Sequence, residues 1–215
     1  MRCGGSSSVT GSALKKTEHA SERDRPDVAE RRERWIAGQA GLDPTKLIFI
    51  DETGTNTKMA RIYGRAPIGQ RLVGKVPWGH WLTTTFTCGL RCDGLVAPWV
   101  LEGAMNKLAF ETYVEKVLAP TLSPGDIVVM DNLPSHKGDK VRELIEAKGA
   151  TRLLLPPYSP DLNPIELAFS KLKALLRKAA ERTVGGLWDR IGLLLDDFTP
   201  DECANYFRHD GYAPT

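Results

Sequence analysis

Three acidic residues stand where rigid elements should hold them. Asp51 follows the short apolar run 46–50 (KLIFI), and Asp131 follows 126–130 (DIVVM). Glu166 falls in the first turn of a strongly helical segment, behind the proline-rich stretch PPYSPDLNP. Three carboxylates delivered to one point repel one another, and each then resists ionising. Divalent cations relieve that repulsion. Mg²⁺ or Mn²⁺ prefers oxygen ligands, and a pair of ions about 3.5–4 Å apart can clamp the attacking and leaving oxygens of a phosphodiester. Plainer readings exist for the same residues. An aspartate at a strand end can cap a turn, and a glutamate in a first helical turn complements the helix dipole. The three residues alone leave both readings open.

The surrounding pattern supplies the elements that would position them. Short β-branched apolar runs predict buried strands at 46–50, 126–130 and 151–155, with two further strands at 80–90 and 94–101. Helical spacing predicts helices over 28–39, 108–118, 137–148, 164–182, 187–195 and 200–208. In the 164–182 helix, Asn163 reads as the N-cap and Pro164 as the first helical residue. Strand runs followed by helix–strand alternation imply an α/β fold, a mixed sheet flanked by helices. Strand ends are where such sheets build sites.

The chain has 215 residues and a net charge of +2, so bulk charge does not announce a nucleic-acid partner. Residues 1–45 read as an arm with one short helix, too poor in apolar side chains for a domain, and 46–215 read as the main domain. Cys3, Cys88, Cys92 and Cys203 fit no common disulfide or zinc spacing and read as reduced thiols. No apolar run approaches the ~18 residues that cross a bilayer, and no signal-peptide core opens the chain. The expectation is a cytoplasmic protein with no membrane partner.

Charge placement is more informative than its sum. Between Glu52 and Asp93 there is no acidic residue, while Lys58, Arg61, Arg65, Arg71, Lys75 and Arg91 lie there among glycines and tryptophans. Such a segment suits phosphate contact; it could equally be a solvated hairpin whose Trp78 and Trp81 plug the core. At helical spacing Lys173 and Arg177 fall beside Glu166, off the apolar stripe, whereas Lys171, Lys178 and Arg182 read as solvent-facing. Asn132 and His136 are candidates to orient a cation's water or to contact a phosphate. Alternatively Asn132 satisfies a turn and His136 caps the next helix. Glu52 adjoins Asp51, but strand neighbours point to opposite faces, so it is not expected to be a ligand. Tyr158 and its flanking prolines are expected to stiffen the loop before Glu166.

The motifs IDET (50–53), MDN (130–132) and PPYSPDLNPIE (156–166), with 34 residues between Asp131 and Glu166, resemble the DDE transposases of the Tc/mariner superfamily, nearest the insertion-sequence 630 family. The resemblance covers about residues 11–215. It implies an RNase H-like fold in which Asp51, Asp131 and Glu166 are the catalytic, metal-binding triad with two Mg²⁺ or Mn²⁺ ions. The implied reaction is DNA strand cleavage followed by strand transfer of an insertion sequence. The partners would be element-end and target DNA, engaged as a dimer. Arg61, Arg65, Arg71, Lys75, Lys173 and Arg177 then become the expected DNA contacts, and Asn132 and His136 candidate supports behind the metal ligands.

Relatives of that kind carry helix-turn-helix modules upstream. Residues 13–35 resemble their linker, and no compact three-helix unit is legible in 1–45. Two explanations follow: a separately encoded recognition partner, or a truncated remnant that binds DNA without catalysis and interferes with full-length transposase. A general RNase H-like nuclease acting on another nucleic acid is a third reading.

Overall fold

The computed structural model describes residues 20–61 and 63–212; Cys3 and most of the N-terminal arm lie outside the described residues. Five strands form one sheet in the order β3-β2-β1-β4-β5. They are β1 (Leu47–Asn56), β2 (Thr83–Arg91), β3 (Gly94–Glu102), β4 (Ile127–Met130) and β5 (Thr151–Leu154). The first three are mutually antiparallel, and β4 and β5 run parallel to β1. This is the expected mixed sheet.

Alternation along β1 sorts the core into two layers. Leu47 and Phe49 pack with α4 (Ile165–Ala179), α5 (Val184–Leu194) and α6 (Pro200–His209). Ile48 and Ile50 pack on the other face with α2 (Lys107–Tyr113) and α3 (Asp139–Glu146). Gly89 on β2 permits that second packing, because a Cβ there would lie 2.8 Å from Ile50 Cδ1. The α4 stripe works as its spacing predicts: Ile165, Ala168, Phe169, Leu172 and Leu176 are buried. The helix stops at Ala180, in the left-handed region at φ 56°.

Several boundaries differ from expectation for tertiary reasons. β1 does not end at Asp51 but runs to Asn56, because β2 continues to pair with it through Asn56–Thr83. Its parallel neighbour β4 stops at the Ile50–Met130 pair. Asp51 therefore stands where one side of the ladder ends and the other continues. The 108–118 segment is α2 followed by a π turn (Val114–Leu118). The segment from 137 begins with a 3-10 turn (Pro134–Lys137), and α3 starts at Asp139 with Gly138 at the N-cap, so His136 does not cap it.

The N-terminal helix α1 (Pro26–Gln39) is docked on the sheet domain. Buried Arg32 grips Asp161 with two parallel hydrogen bonds of 3.0 and 2.7 Å, and Arg23 adds a third. Trp35 Nε1 donates to the Tyr212 hydroxyl, which donates in turn to the Leu162 carbonyl. Gln39 donates to the Asp210 carbonyl. Together α1 and Tyr212 clasp the loop that precedes α4.

Candidate active site

Asp51, Asp131 and Glu166 line one cleft of about 710 Å³, together with Asn132, Tyr158, Asn163 and, from α1, Arg25, Asp27 and Arg31. Strand parity explains the first member. Asp51 shares the face of Leu47 and Phe49 and so points toward α4, whose first turn carries Glu166. Asp131 directly follows β4, the strand beside β1. Among the described residues no three His, Cys, Asp or Glu side chains are gathered into a ready-made ligand set. Mutual repulsion among three carboxylates in one cleft opposes their ionising together.

That repulsion is visible in the carboxyl groups themselves. Burial, then the charge of Glu166, lifts Asp51 to about 8, with Asp131 and Glu52 adding to the rise and the Glu52 N–H opposing it. Glu166 is open to solvent on its cleft side, yet enclosure by the walls, with Asp131, raises its carboxyl against the pull of Lys173. Hard oxygen donors gathered in one cleft, with Asp51 and Glu166 raised by burial and neighbouring charge, are what a divalent cation would stabilise, so the residues present fit such an ion.

Both aspartates are held by neighbours. Asp51 Oδ1 accepts from the Glu52 N–H at 2.7 Å, and Oδ2 accepts from Asn163 Nδ2 at 2.9 Å. Asp131 Oδ1 accepts from the Leu133 N–H and lies 2.5 Å from His136 Nδ1, a charge contact without the alignment of a hydrogen bond. His136 is fully buried, 4.2 Å from the Phe110 ring centroid, and its Nε2 meets Glu52 at 3.0 Å. Burial alone would lower its pKa; the Asp131 and Glu52 carboxylates outweigh burial and raise it to about 9. The Glu52 side chain thus faces away from the cleft, as strand alternation requires, and its carboxylate contacts His136. Asn132 donates a long 3.5 Å bond to the Leu155 carbonyl, tying the ends of β4 and β5. Tyr158 sits on the cleft rim, half exposed, in the left-handed region at φ 55°.

The expected cationic residues divide into two sets. Lys173 and Arg177 line a depression with Asn56, Lys58 and Trp81, next to the cleft helix. Arg61, Arg65, Arg71 and Lys75 lie on the exposed arm 57–82, which has no helix or strand among its described residues. Trp78 and Trp81 do not plug the core. They are 96% and 50% exposed, with the Lys58 ammonium over both rings. Lys171 and Arg182 are not free in solvent either. Lys171 pairs with Glu202 at 2.5 Å, and Arg182 donates to the Met59 carbonyl at 2.8 Å, latching the arm's root to the end of α4.

Read from sequence, Asn163 is a helix cap, and its contact with Asp51 is missed. The N-cap position is occupied by Pro164, and no side chain caps the helix. No local signal marks the contact, because Asn163 and Asp51 are 112 residues apart.

Residues 46–184 match a family model described as DDE superfamily endonuclease. No curated protein matched the chain. Among solved structures, a pre-cleavage Mos1 transpososome is similar with a TM-score of 0.75 and 16% identity, over 95% of this chain and 65% of that one. A Mos1 mariner paired-end complex with Mn gives 0.71 and 17%, over 95% and 64%. The isolated catalytic domain of Mos1 mariner transposase gives 0.65 and 16%, over 93% of each chain. This chain thus spans just under two thirds of the chains in the first two complexes. The mixed five-stranded sheet flanked by helices is the RNase H-like fold of the Mos1 catalytic domain. By the match over 46–184, the chain belongs to the DDE superfamily endonucleases.

Proposed function

We propose that this domain cleaves DNA strands at the ends of an insertion sequence and transfers them to target DNA, as a transposase of the insertion-sequence 630 type. The observation that carries the reading is the meeting of Asp51, Asp131 and Glu166 in one cleft, where burial and then neighbouring charge raise the carboxyl groups of Asp51 and Glu166. Solved Mos1 complexes with Mn and with Mg support divalent metal use. Asp51, Asp131 and Glu166 would hold two Mg²⁺ or Mn²⁺ ions, which when bound supply a charge clamp on the attacking and leaving oxygens of an in-line displacement.

The chain's own residues position the reaction, the main demand of phosphoryl transfer. Asp51 is fixed at both oxygens, and His136, braced by Glu52, sets the attitude of Asp131. Lys173 and Arg177 offer charge to the backbone of the bound duplex beside the cleft, and Arg61, Arg65, Arg71 and Lys75 extend that contact along the arm. Water attacks the scissile phosphodiester and leaves a 3′-hydroxyl. That hydroxyl then attacks a target phosphodiester, displacing its 3′ oxygen, with no covalent protein–DNA intermediate. Two DNA ends need two such sites, so the working form is a dimer on DNA, with end recognition supplied by a helix-turn-helix partner. No described helix is long and apolar enough to cross a membrane, and action on DNA fits a bacterial cytoplasmic, nucleoid-associated protein.

The test is a cleavage assay on element-end duplex, random duplex and RNA–DNA hybrid, with Mg²⁺ and with chelator. Cation-dependent nicking of element ends supports the proposal. Preference for the hybrid would favour a general nuclease, and absence of cutting on every substrate, with the recognition partner added, would favour a non-catalytic remnant.

A further inference from the structure

Asn163 does not do what its place in the sequence suggests. It precedes Pro164 and the α4 helix, yet its side chain caps nothing. Its amide instead crosses to β1, 112 residues away, and donates to Asp51 Oδ2 at 2.9 Å. Asn163 is 3% exposed, and its Oδ1 has no partner among the described residues. A buried amide kept only to shape a loop would normally have both ends satisfied. Here one end is left unpaired, and the amide's bond goes to the carboxylate.

The loop carrying Asn163 is itself held. Arg32 grips Asp161, and the Tyr212 hydroxyl donates to the Leu162 carbonyl. Asn163 therefore stands on a fixed support, three residues before Glu166, and its backbone carbonyl accepts from the Glu166 N–H at 3.0 Å. One short segment fixes the orientation of one acidic side chain and starts the helix that bears another.

We propose that Asn163 is a positioning residue for divalent-cation binding: its amide holds the Asp51 carboxylate in the orientation that receives the ion. The inference rests on the cleft being a cation site. With Oδ1 engaged by the Glu52 N–H and Oδ2 by Asn163, rotation of the carboxylate is blocked at both oxygens. Each oxygen keeps lone pairs free toward the cleft. Removing an outer partner of this kind typically weakens metal affinity by roughly 10–100-fold.

The experiment is Mn²⁺ titration of the whole chain, without DNA, by calorimetry and by the paramagnetic resonance signal of free Mn²⁺. Wild type is compared with Asn163→Leu, which keeps the volume and removes the donor, and with Asn163→Ala, which removes it without adding an apolar branch. Thermal unfolding of each is recorded in parallel. A drop in affinity of roughly 10–100-fold, at an unfolding midpoint near wild type, is the expected result. Wild-type affinity in whichever variant folds would overturn the role of Asn163. Asp51→Asn is the control for the underlying reading: undiminished Mn²⁺ binding there would remove the cation site itself. Loss in Asp51→Asn with none in the Asn163 variants would remove only the positioning role.

Discussion

At the cleft, Asp51 is bonded at both oxygens and its helper Asn163 is almost wholly enclosed, whereas along 57–82 Arg61, Arg65, Arg71 and Lys75 stand exposed beside uncovered rings such as Tyr63 and Trp78. The two regions are joined at the arm's root, where Arg182 holds the carbonyls of Thr57 and Met59. They differ in what supplies order. The cleft is held by bonds within the chain, which suits chemistry that depends on placement to within a fraction of an ångström. The arm has few internal partners, and its cations keep the freedom to follow a phosphate backbone. On the proposed function, geometry belongs to one region and charge delivery to the other, so changes in each should be separable.

The largest separation should come from the arm. Replacing Arg61, Arg65, Arg71 and Lys75 together by alanine should lower duplex affinity and flatten its salt dependence, by about 0.9 in the logarithmic slope for each phosphate left unneutralised. Mn²⁺ affinity at the cleft should not move. Fluorescence anisotropy across a salt series reads the first effect, and an unchanged slope would take DNA binding away from the arm.

Next in size is the clasp behind the cleft. Arg32 is buried, but its partner Asp161 is 40% exposed, so solvent screens part of the pair. Arg32→Met should cost about 1–2 kcal/mol, which for a chain of this size lowers the melting midpoint by a few degrees. The loop carrying Asn163 should loosen with it, giving faster amide exchange over 159–166. A lower melting midpoint without that local change would confine Arg32 to global stability.

Of at least comparable size is a pH effect confined to the cleft. Burial and the charge of Glu166 raise Asp51 from 3.8 to about 8. Between those values the folded state keeps a proton that the unfolded chain has released, so metal-free stability falls as pH rises through the window. Asp51→Asn should flatten that fall. Because cation binding must displace the same proton, Mn²⁺ affinity should rise from pH 6 to pH 8. Melting and titration at both pH values check both signs, and parallel profiles for wild type and variant would contradict them.

The smallest effect should be at the arm's aromatic pairing. Lys58→Met removes the ammonium 4.3 Å from the Trp81 centroid, and an exposed cation–π interaction is worth about 0.5–1 kcal/mol. A melting shift well beyond that would mean the arm is more ordered than its exposure suggests.

Local pattern carries the expected sheet and its helices because period-2 and period-3.6 burial are written plainly in KLIFI, DIVVM and the α4 stripe. It also carries the three acids, since each stands at the end or the start of such an element. What it cannot carry is set by distant partners. The apolar run ends at Ile50, and only pairing with the threonines of β2 extends β1 through Asn56. Asn163 has the local chemistry of a cap, and its bond to Asp51 has no signature near either residue. Trp78 and Trp81 could by type have plugged the core, one of two readings the sequence left open, but no helix or strand among the described arm residues folds them inward. His136 could be read as a helix cap, but the 3-10 turn Pro134–Lys137 intervenes and the N-cap of α3 falls at Gly138.

The central claim is that Asp51, Asp131 and Glu166 share divalent cations. Anomalous diffraction from Mn²⁺-soaked crystals tests it most directly. The expected result is strong anomalous density bounded by those three carboxylates, with Asn163 still bonded to Asp51. Density elsewhere on the protein, or none in the cleft at saturating Mn²⁺, would contradict it.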